Sequence, residues 1–340
     1  MAFHDLIGQS IAKDLLRRSL HAQRLPTGLL FVGPVGVGKR LCALSVAQAL
    51  NCQVAPAEGC GTCSVCQRIA RGEHPDVKLV APDGAQIKIG QAREAVRFVT
   101  DPPYEARRRV LLFKPADAFN TAAANALLKT LEEPPAHAQL ILISARPDAL
   151  PATIRSRCPQ VRFTPLTLDE VEQCLDRQAK RPPADRRLLA RLAQGRPGTV
   201  VGLDLEDYRQ QRKIALEFLG LLTQGTPVTR LLKAANYFGK LERPEFEAAL
   251  DILASLLRDV TCLKAASLAS QPGDSMEDVL THVDIVSKLQ AVATQLSLKQ
   301  LQVALDRFEA IRRNLNRNIN RVLAMEAALL SLSAGRPMLT

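Results

Sequence analysis

The segment LLFVGPVGVGKR, residues 29–40, constrains the fold of this chain more than any other. An apolar run of strand length leads into Gly33, and four residues later come Gly38 and Lys39. This spacing matches the phosphate-binding loop G-x-x-x-x-G-K-[ST] except at its last position, where Arg40 replaces the hydroxyl residue. The helical pattern LCALSVAQAL follows at once. The segment therefore predicts a strand, a loop and a helix that begin an α/β domain.

The loop residues Gly33, Gly38 and Lys39 are the candidate nucleotide-binding residues. In a loop of this kind the backbone amides and the helix N-terminus attract phosphate, and the lysine reaches the terminal phosphates. A glycine-rich turn with a chance lysine is the alternative, and the strand–loop–helix context favours the phosphate loop. The residues leave open whether the loop binds ATP or ADP, or neither.

Hydrolysis of a nucleotide needs two further parts, and both are missing. A hydroxyl after the lysine normally binds magnesium, whereas Arg40 would repel a cation. Acidic residues normally follow a later strand, whereas Lys114 and Pro115 follow the run VLLF here, and Asp117 is expected already in the turn beyond. The sequence therefore predicts a site with the shape of a nucleotide site but without catalysis.

Apolar stretches of strand length alternate with helical patterns in the first half of the chain, which predicts a parallel sheet covered by helices. The predicted strands are Gly28–Val32, Val77–Val80, Val110–Phe113, Leu140–Ser144 and Val161–Phe163. Only helical periodicity follows, in a short module broken by KRPP and QGRPG and then to the end of the chain. We therefore predict an α/β domain at 1–165, a small helical domain at 166–207 and an all-α domain at 208–340.

Four of the eight cysteines form the pattern C-x7-C-x2-C-x2-C: Cys52, Cys60, Cys63 and Cys66. Four thiolates on a short loop with glycine bends suit tetrahedral zinc, and a site filled by protein ligands is structural. An iron–sulfur cluster is the alternative, but the ferredoxin pattern needs a cysteine followed by proline at positions 70 and 71, which are Ala70 and Arg71. A set of unliganded thiols is the other alternative.

Charge and targeting signals indicate a basic cytosolic protein. The 45 basic and 34 acidic side chains give a net charge of +11, which is compatible with nucleic-acid binding or with an ordinary solvated surface. The N-terminal segment MAFHDLIGQS has neither the basic flank nor the apolar core of a secretory signal, and the apolar runs are too short to span a bilayer. We therefore expect a cytoplasmic location and no membrane partner.

Four sequence features occur together in a fixed order, and they carry a resemblance to a known family. They are the four-cysteine insert after the phosphate-loop helix, ANALLKTLEEPP at 124–135, SRC at 156–158 and NINRVLAME at 318–326. In these features the chain resembles the clamp-loader proteins of the AAA+ class over nearly its full length. The resemblance implies an AAA+ module with a zinc-binding insert at 52–66, a small helical lid and a C-terminal helical domain that joins a ring of subunits as its collar.

The resemblance also implies a role for Arg157. In the family, the arginine of Ser-Arg-Cys reaches across a subunit boundary to the ATP of its neighbour, and a planar guanidinium suits that role. An intramolecular salt bridge is the alternative for this residue. The family's ATPase subunits also carry a sensor arginine in the lid, where this chain has Gly198 in QGRPGTV.

The resemblance thus implies a subunit of the DNA polymerase III clamp loader that does not hydrolyse ATP. It would help load the sliding clamp on primed DNA, and its partners would be the ATPase subunits (gamma and tau), the delta subunit and, indirectly, the clamp. An active AAA+ motor subunit is the alternative function, and a zinc-containing DNA-binding protein without a ring partner is a third. The third is disfavoured because the chain has no tryptophan and three tyrosines for base stacking.

Two acidic residues in ANALLKTLEEPP need a separate explanation. Glu132 and Glu133 fall in the last turn of the predicted helix, where a negative charge opposes the helix dipole. Helix stability alone therefore does not account for them. A solvated helix face is the alternative to a functional role.

Overall fold

The computed structural model describes residues 3–179, 181–222, 226–269, 279–315 and 319–334. The chain divides into two compact units: the first contains residues 1–182 and 193–201, and the second contains residues 183–192 and 202–340. Asn318, the first residue of the NINRVLAME segment, lies outside the described residues. No helix in these described ranges is both long and apolar enough to cross a membrane.

The first unit contains a five-stranded parallel sheet in the order β2-β3-β4-β1-β5. All five predicted strands are confirmed, with bounds that shift by at most two residues. The strands are β1 Gly28–Val32, β2 Val77–Val80, β3 Arg109–Phe113, β4 Ala138–Ser144 and β5 Gln160–Arg162.

Helices cover both faces of this sheet because its three central strands, β3, β4 and β1, are largely apolar on both faces. Strand β4 is buried at every position, and β1 and β3 are buried along all but their first residue. The helices of the first unit are α1 Ser10–His21, α2 Lys39–Asn51, α3 Ser64–Arg71, α4 Ile89–Thr100, α5 Thr121–Glu132, α6 Ala152–Arg155 and α7 Leu168–Gln178.

A side-chain cap begins helix α5. The side chain of Asn120 accepts a hydrogen bond of 2.8 Å from the amide of Ala123, which satisfies one of the unpaired donors of the first turn. The buried face of this helix includes Leu127, which packs in the same core as strand β4. The helix ends at Glu132, before Pro134 and Pro135.

The second unit is helical throughout its described part, as the periodicity predicts. Its helices are α8 Pro183–Ala193, α9 Leu205–Leu221, α10 Val228–Lys240, α11 Arg243–Ala269, α12 Val286–Gln295, α13 Leu298–Asn314 and α14 Arg321–Ala334. The last residue of α8, Ala193, falls in the first unit. Helix α11 packs against α9, α12 and α13, and α10 packs against α14, so that one apolar core joins these six helices.

A buried polar network fixes the loop before α12. The Asp259 carboxylate accepts hydrogen bonds from the amides of Thr281 and His282 and from the His282 ring, and the opposite ring nitrogen contacts the Tyr208 hydroxyl at 2.8 Å. Burial opposes ionisation of Asp259, but the His282 ring and these amides outweigh it and lower the pKa of the carboxyl. The network is satisfied internally, which a buried charge requires.

Candidate functional site

The phosphate-loop segment lies at the carboxyl end of β1, where open α/β sheets bind their ligands. The chain leaves the strand through Gly33, which has φ +146°, and enters α2 through Gly38, which has φ +100°. A Cβ atom on Gly33 would lie 2.3 Å from the carbonyl oxygen of Phe163, so only glycine fits there. The loop therefore has the predicted position and the predicted glycine geometry.

The amine of Lys39 is bound within its own loop. It donates hydrogen bonds to the carbonyl oxygens of Gly33 and Pro34, the latter at 2.6 Å, and the residue is 7% exposed. Burial lowers the pKa of Lys39 to about 8, although the carboxylate of Asp117 opposes that shift. The group that would meet a terminal phosphate is thus occupied by backbone carbonyls.

Cations lie where the chemistry of hydrolysis would place magnesium and its ligands. Arg40 is exposed on the first turn of α2, and Lys114 directly follows β3. Burial, and then the positive charge of Arg40, lower the pKa of Lys114. Neither side chain can ligate a cation.

Asp117 has a partner that sequence reasoning missed. It lies in a short 3₁₀ helix after β3, and its carboxylate accepts hydrogen bonds from the Ser144 hydroxyl at 2.9 Å, the Ala145 amide and the Arg146 guanidinium. Burial opposes ionisation, but these donors outweigh it and lower the pKa of Asp117. This acid therefore joins the ends of β3 and β4, and Ser144 is satisfied by it.

The segment of the predicted lid around Gly198 closes directly on the phosphate loop. The Gly198 amide donates a hydrogen bond of 2.9 Å to the carbonyl of Gly36. A Cβ atom on Gly198 would lie 2.9 Å from the Gly36 Cα atom, which leaves no room for a side chain. An arginine side chain would not fit at this position.

The four predicted metal ligands come together in one cluster. The Sγ atoms of Cys52, Cys60, Cys63 and Cys66 all lie within 4.8 Å of one another. Cys52 directly follows α2, and Cys63 caps α3 by accepting a hydrogen bond from the Cys66 amide. The arrangement is that of four thiols positioned to hold a metal ion.

Backbone amides also donate to two further thiols of the cluster. The Cys52 sulfur accepts from the amides of Ala55 and Cys60, and the Cys60 sulfur accepts from the amide of Cys63. Contacts with Thr62 and the Cys63 amide lower the pKa of Cys60 to about 5, whereas burial raises the pKa of Cys66. Amide donors favour the thiolate, which is the form that binds metal.

Two carboxamides on α2 attach the cysteine insert to the rest of the unit. The buried Gln48 donates a hydrogen bond of 2.7 Å to the carbonyl of Cys66. The Asn51 side chain makes two hydrogen bonds with the backbone of Arg108. Its oxygen accepts from the Arg108 amide at 2.9 Å, and its nitrogen donates to the Arg108 carbonyl at 3.1 Å. No sequence motif marked either residue, because their partners are backbone groups distant along the chain.

A buried carboxylate shapes the loop beside the insert. Asp76 accepts from the consecutive amides of Tyr104, Glu105 and Ala106 and from the guanidinium of Arg109. Burial opposes ionisation of Asp76, but these donors lower the pKa of the carboxyl below its usual value. The loop before β3 is thereby ordered by one side chain, which sequence analysis also did not single out.

Arg157 lies in the segment after α6, and its contacts are separate from those of the phosphate loop and of the cysteine cluster. Its guanidinium contacts the Glu132 carboxylate at 2.5 Å and donates to the carbonyl of Thr153 at 2.9 Å. Its side chain is 35% exposed. The intramolecular salt bridge that the sequence left as an alternative is therefore present in this chain, and Glu132 has a definite partner.

The parallel sheet in this strand order, with a loop of phosphate-loop spacing after its first strand and a helical region later in the chain, defines an α/β protein of the AAA+ class, as expected from the sequence. A family model described as "DNA polymerase III, delta subunit" matches residues 8–167. A second, described as "DNA polymerase III, delta subunit, C terminal", matches residues 207–334.

Similar proteins extend the match over nearly the whole chain. The DNA polymerase III subunit delta' of Pseudomonas aeruginosa is 33% identical, over 94% of this chain and 94% of that protein. The corresponding subunit of Bacillus subtilis is 31% identical over 94% and 95%, and that of Escherichia coli is 32% identical over 94% and 92%. The chain belongs to the family of DNA polymerase III delta' subunits.

The close packing of the phosphate loop predicts unequal effects of alanine at its two glycines. Both have positive φ, so alanine is strained by about 1–2 kcal/mol at either position. Gly33→Ala also brings its Cβ against the Phe163 carbonyl, whereas a Cβ on Gly38 meets no atom within 4 Å. We expect Gly33→Ala to lower the free energy of unfolding by at least about 2 kcal/mol more than Gly38→Ala.

Urea unfolding of the nucleotide-free protein, followed by circular dichroism, measures this difference. Gly38→Ala is the matched control because it changes the same residue type in the same loop. Equal losses of stability in the two variants would contradict the packing of Gly33 against Phe163.

Proposed function

We propose that this chain is a non-hydrolysing subunit of a DNA polymerase III clamp loader, and that it supplies Arg157 to the ATP site of a neighbouring ATPase subunit. Its membership of the delta' family supports the first part. The observation that carries the absence of hydrolysis is the amine of Lys39, which binds the carbonyls of Gly33 and Pro34 instead of projecting into an open loop.

The chemistry around the loop supports the absence of hydrolysis. Magnesium normally links the phosphates to a hydroxyl and to acidic residues, and here Arg40 and Lys114 bring positive charge to that region. The first acidic residue after β3, Asp117, already accepts hydrogen bonds from Ser144 and Arg146. The Gly198–Gly36 contact packs the segment at Gly198 directly against the backbone of the phosphate loop.

The chemistry of Arg157 supports a role on another subunit. A guanidinium can stabilise the negative charge that develops on a transferred phosphoryl group, and an arginine of one protein can do so in the active site of a partner. Its own chain offers no competent nucleotide site for it to serve. Its present contacts, Glu132 and the Thr153 carbonyl, are with a half-exposed carboxylate and a backbone oxygen, so that a phosphate could compete for the guanidinium.

The proposed partners follow from the family. They are the ATPase subunits gamma and tau, the delta subunit and, indirectly, the sliding clamp, with primed DNA bound by the whole complex in the cytoplasm. The net charge of +11 suits a surface that faces DNA phosphates. In this proposal residues 1–165 form the AAA+ module, 166–207 its lid and 208–340 the collar domain.

Zinc is the metal that we propose for the cysteine cluster. Four thiolates in a tetrahedron with zinc–sulfur distances of about 2.3 Å lie about 3.8 Å apart, and the Cys52 and Cys63 sulfur atoms are 4.0 Å apart. All four ligands come from the protein, so the ion would stabilise the insert and take no part in catalysis.

The zinc proposal predicts close to one zinc ion per chain in the purified protein. Cys63→Ser should lose the ion and unfold the insert locally, because three thiolates do not complete the site. Serine retains the ability to cap α3, so the loss would report the missing ligand. Cys174→Ser, which changes a cysteine on α7 away from the cluster, is the matched control. The metal content of the purified protein is the measurement. A wild-type protein that contains no metal but has full stability would refute the proposed zinc site.

The absence of hydrolysis predicts that the isolated chain releases no phosphate from ATP in the presence of magnesium. Lys39→Met, which keeps the aliphatic part of the side chain, should leave clamp loading by the assembled complex near the wild-type rate. The same substitution at the phosphate-loop lysine of an ATPase subunit should abolish it. Turnover by the isolated chain would favour the active-ATPase alternative, and loss of loading in the Lys39→Met complex would show that the loop has a function.

The proposed role of Arg157 predicts slower ATP turnover and clamp loading in a complex that carries Arg157→Ala. An arginine supplied to a partner's site can contribute on the order of 10³ in rate, and the effect on the whole complex should be smaller because one of several sites borders this subunit. Arg157→Lys should rescue poorly, since an ammonium cannot form the planar fork. Single-turnover ATP hydrolysis with primed DNA is the measurement.

Arg155→Ala is the matched control for this experiment. Arg155 lies two residues away, has the same 35% side-chain exposure and pairs with Asp148 at 3.1 Å. Wild-type turnover in an assembled Arg157→Ala complex would contradict the role in trans.

A further inference from the structure

Arg155 and Arg157, in the segment that follows β4, are each paired with an acidic side chain, but the two acids lie on different elements. Arg155 pairs with Asp148, which lies in the same segment and is 92% exposed. Arg157 pairs with Glu132, which is the last residue of helix α5 and whose side chain is 49% exposed. The partner of Arg157 therefore comes from a separate element of the sheet domain.

The apolar core fixes the end of α5 against the segment that carries Arg157. Cys158 is 1% exposed, and a Cβ atom on Gly28 would lie 3.2 Å from its sulfur and 3.0 Å from the Leu131 side chain. Ile154 packs in the same core cluster as Cys158. The residues adjacent to Glu132 and Arg157 are thus held together by packing, so the carboxylate has a defined position relative to the guanidinium.

The position of Glu132 is unfavourable for the helix that bears it. A negative charge in the last turn is repelled by the negative end of the helix dipole. The residue that follows, Glu133, closes the helix through a hydrogen bond from its own backbone amide to the Lys129 carbonyl, which needs no carboxylate at position 132. The contact with Arg157 gives the Glu132 carboxylate a function that helix formation does not.

We propose that Glu132 is a positioning residue for Arg157: it orients the guanidinium for the phosphate of a neighbouring subunit. This inference rests on the proposed function of Arg157. Glu132 binds one terminal nitrogen and the Thr153 carbonyl binds the other, so the two contacts fix the plane of the guanidinium. A guanidinium has five N–H donors, and donors that these acceptors do not use can reach a phosphate.

The Arg157–Glu132 ion pair is weak enough to orient the guanidinium without keeping it from a phosphate. An ion pair between half-exposed side chains contributes little to stability, so a phosphate can compete with it for the guanidinium. Immobilising a long side chain costs about 0.5–1.5 kcal/mol. In a chain without Glu132, Arg157 is immobilised only when the reaction occurs, so this cost adds to the activation free energy of ATP hydrolysis. Removal of Glu132 should therefore slow ATP turnover by roughly two- to tenfold.

The test uses assembled complexes and a graded series at position 132. Glu132→Ala removes the acceptor, and Glu132→Gln keeps a neutral one, which binds a guanidinium about half as strongly. Single-turnover hydrolysis on primed DNA should rank wild type above Glu132→Gln and Glu132→Gln above Glu132→Ala. The decrease should appear in the turnover rate and not in the ATP concentration for half-maximal rate. Asp148→Asn is the matched control, since it releases Arg155, and it should leave turnover unchanged.

A double variant separates positioning from a structural effect. If Glu132 acts through Arg157, Glu132→Ala should add no further loss in a complex that already carries Arg157→Ala. A further loss in that background, or faster turnover in Glu132→Ala than in wild type, would overturn the proposal. If Arg157→Ala slows turnover and Glu132→Ala does not, the positioning role fails alone. If Arg157→Ala has no effect, the proposed function of Arg157 itself fails.

Discussion

Strand β4 is the element on which the arrangement of the phosphate loop, Asp117 and Arg157 depends. Its seven residues are all buried, and it is hydrogen-bonded to β3 on one side and to β1 on the other. Because the three strands are parallel, their carboxyl ends meet at one edge of the sheet. The phosphate loop leaves from β1, Asp117 lies just beyond β3, and the segment that leads to Arg157 leaves from β4.

The sequence predicted most of this framework because its signals are local. Strands of this kind are recognisable as short apolar runs, and the cysteine cluster is recognisable by the spacing of its four residues. Each of these features is contained in a few consecutive residues. The Arg157 segment was found through a resemblance, and its spatial partner was not found at all.

The missed residues share a physical property: their partners are distant in sequence and several are backbone groups. Asp76 binds amides some thirty positions away, Asn51 binds the backbone of Arg108, and Asp117 receives the hydroxyl of Ser144. Backbone groups have no side-chain signature, so no residue pattern can announce such a contact. Lys39 illustrates the same difficulty, since the motif specifies a lysine but not the carbonyls that occupy it.

The close contact between Gly36 and Gly198 has a consequence for how chains of this kind change over evolutionary time. Once ATP no longer has to bind, selection for the nucleotide would cease to act on the glycines of the loop. Packing keeps acting, because a methyl group at position 33 or 198 would collide with backbone atoms. The glycine signature can therefore outlast the ligand for which it first arose, and its survival in a genome is not by itself a record of nucleotide use.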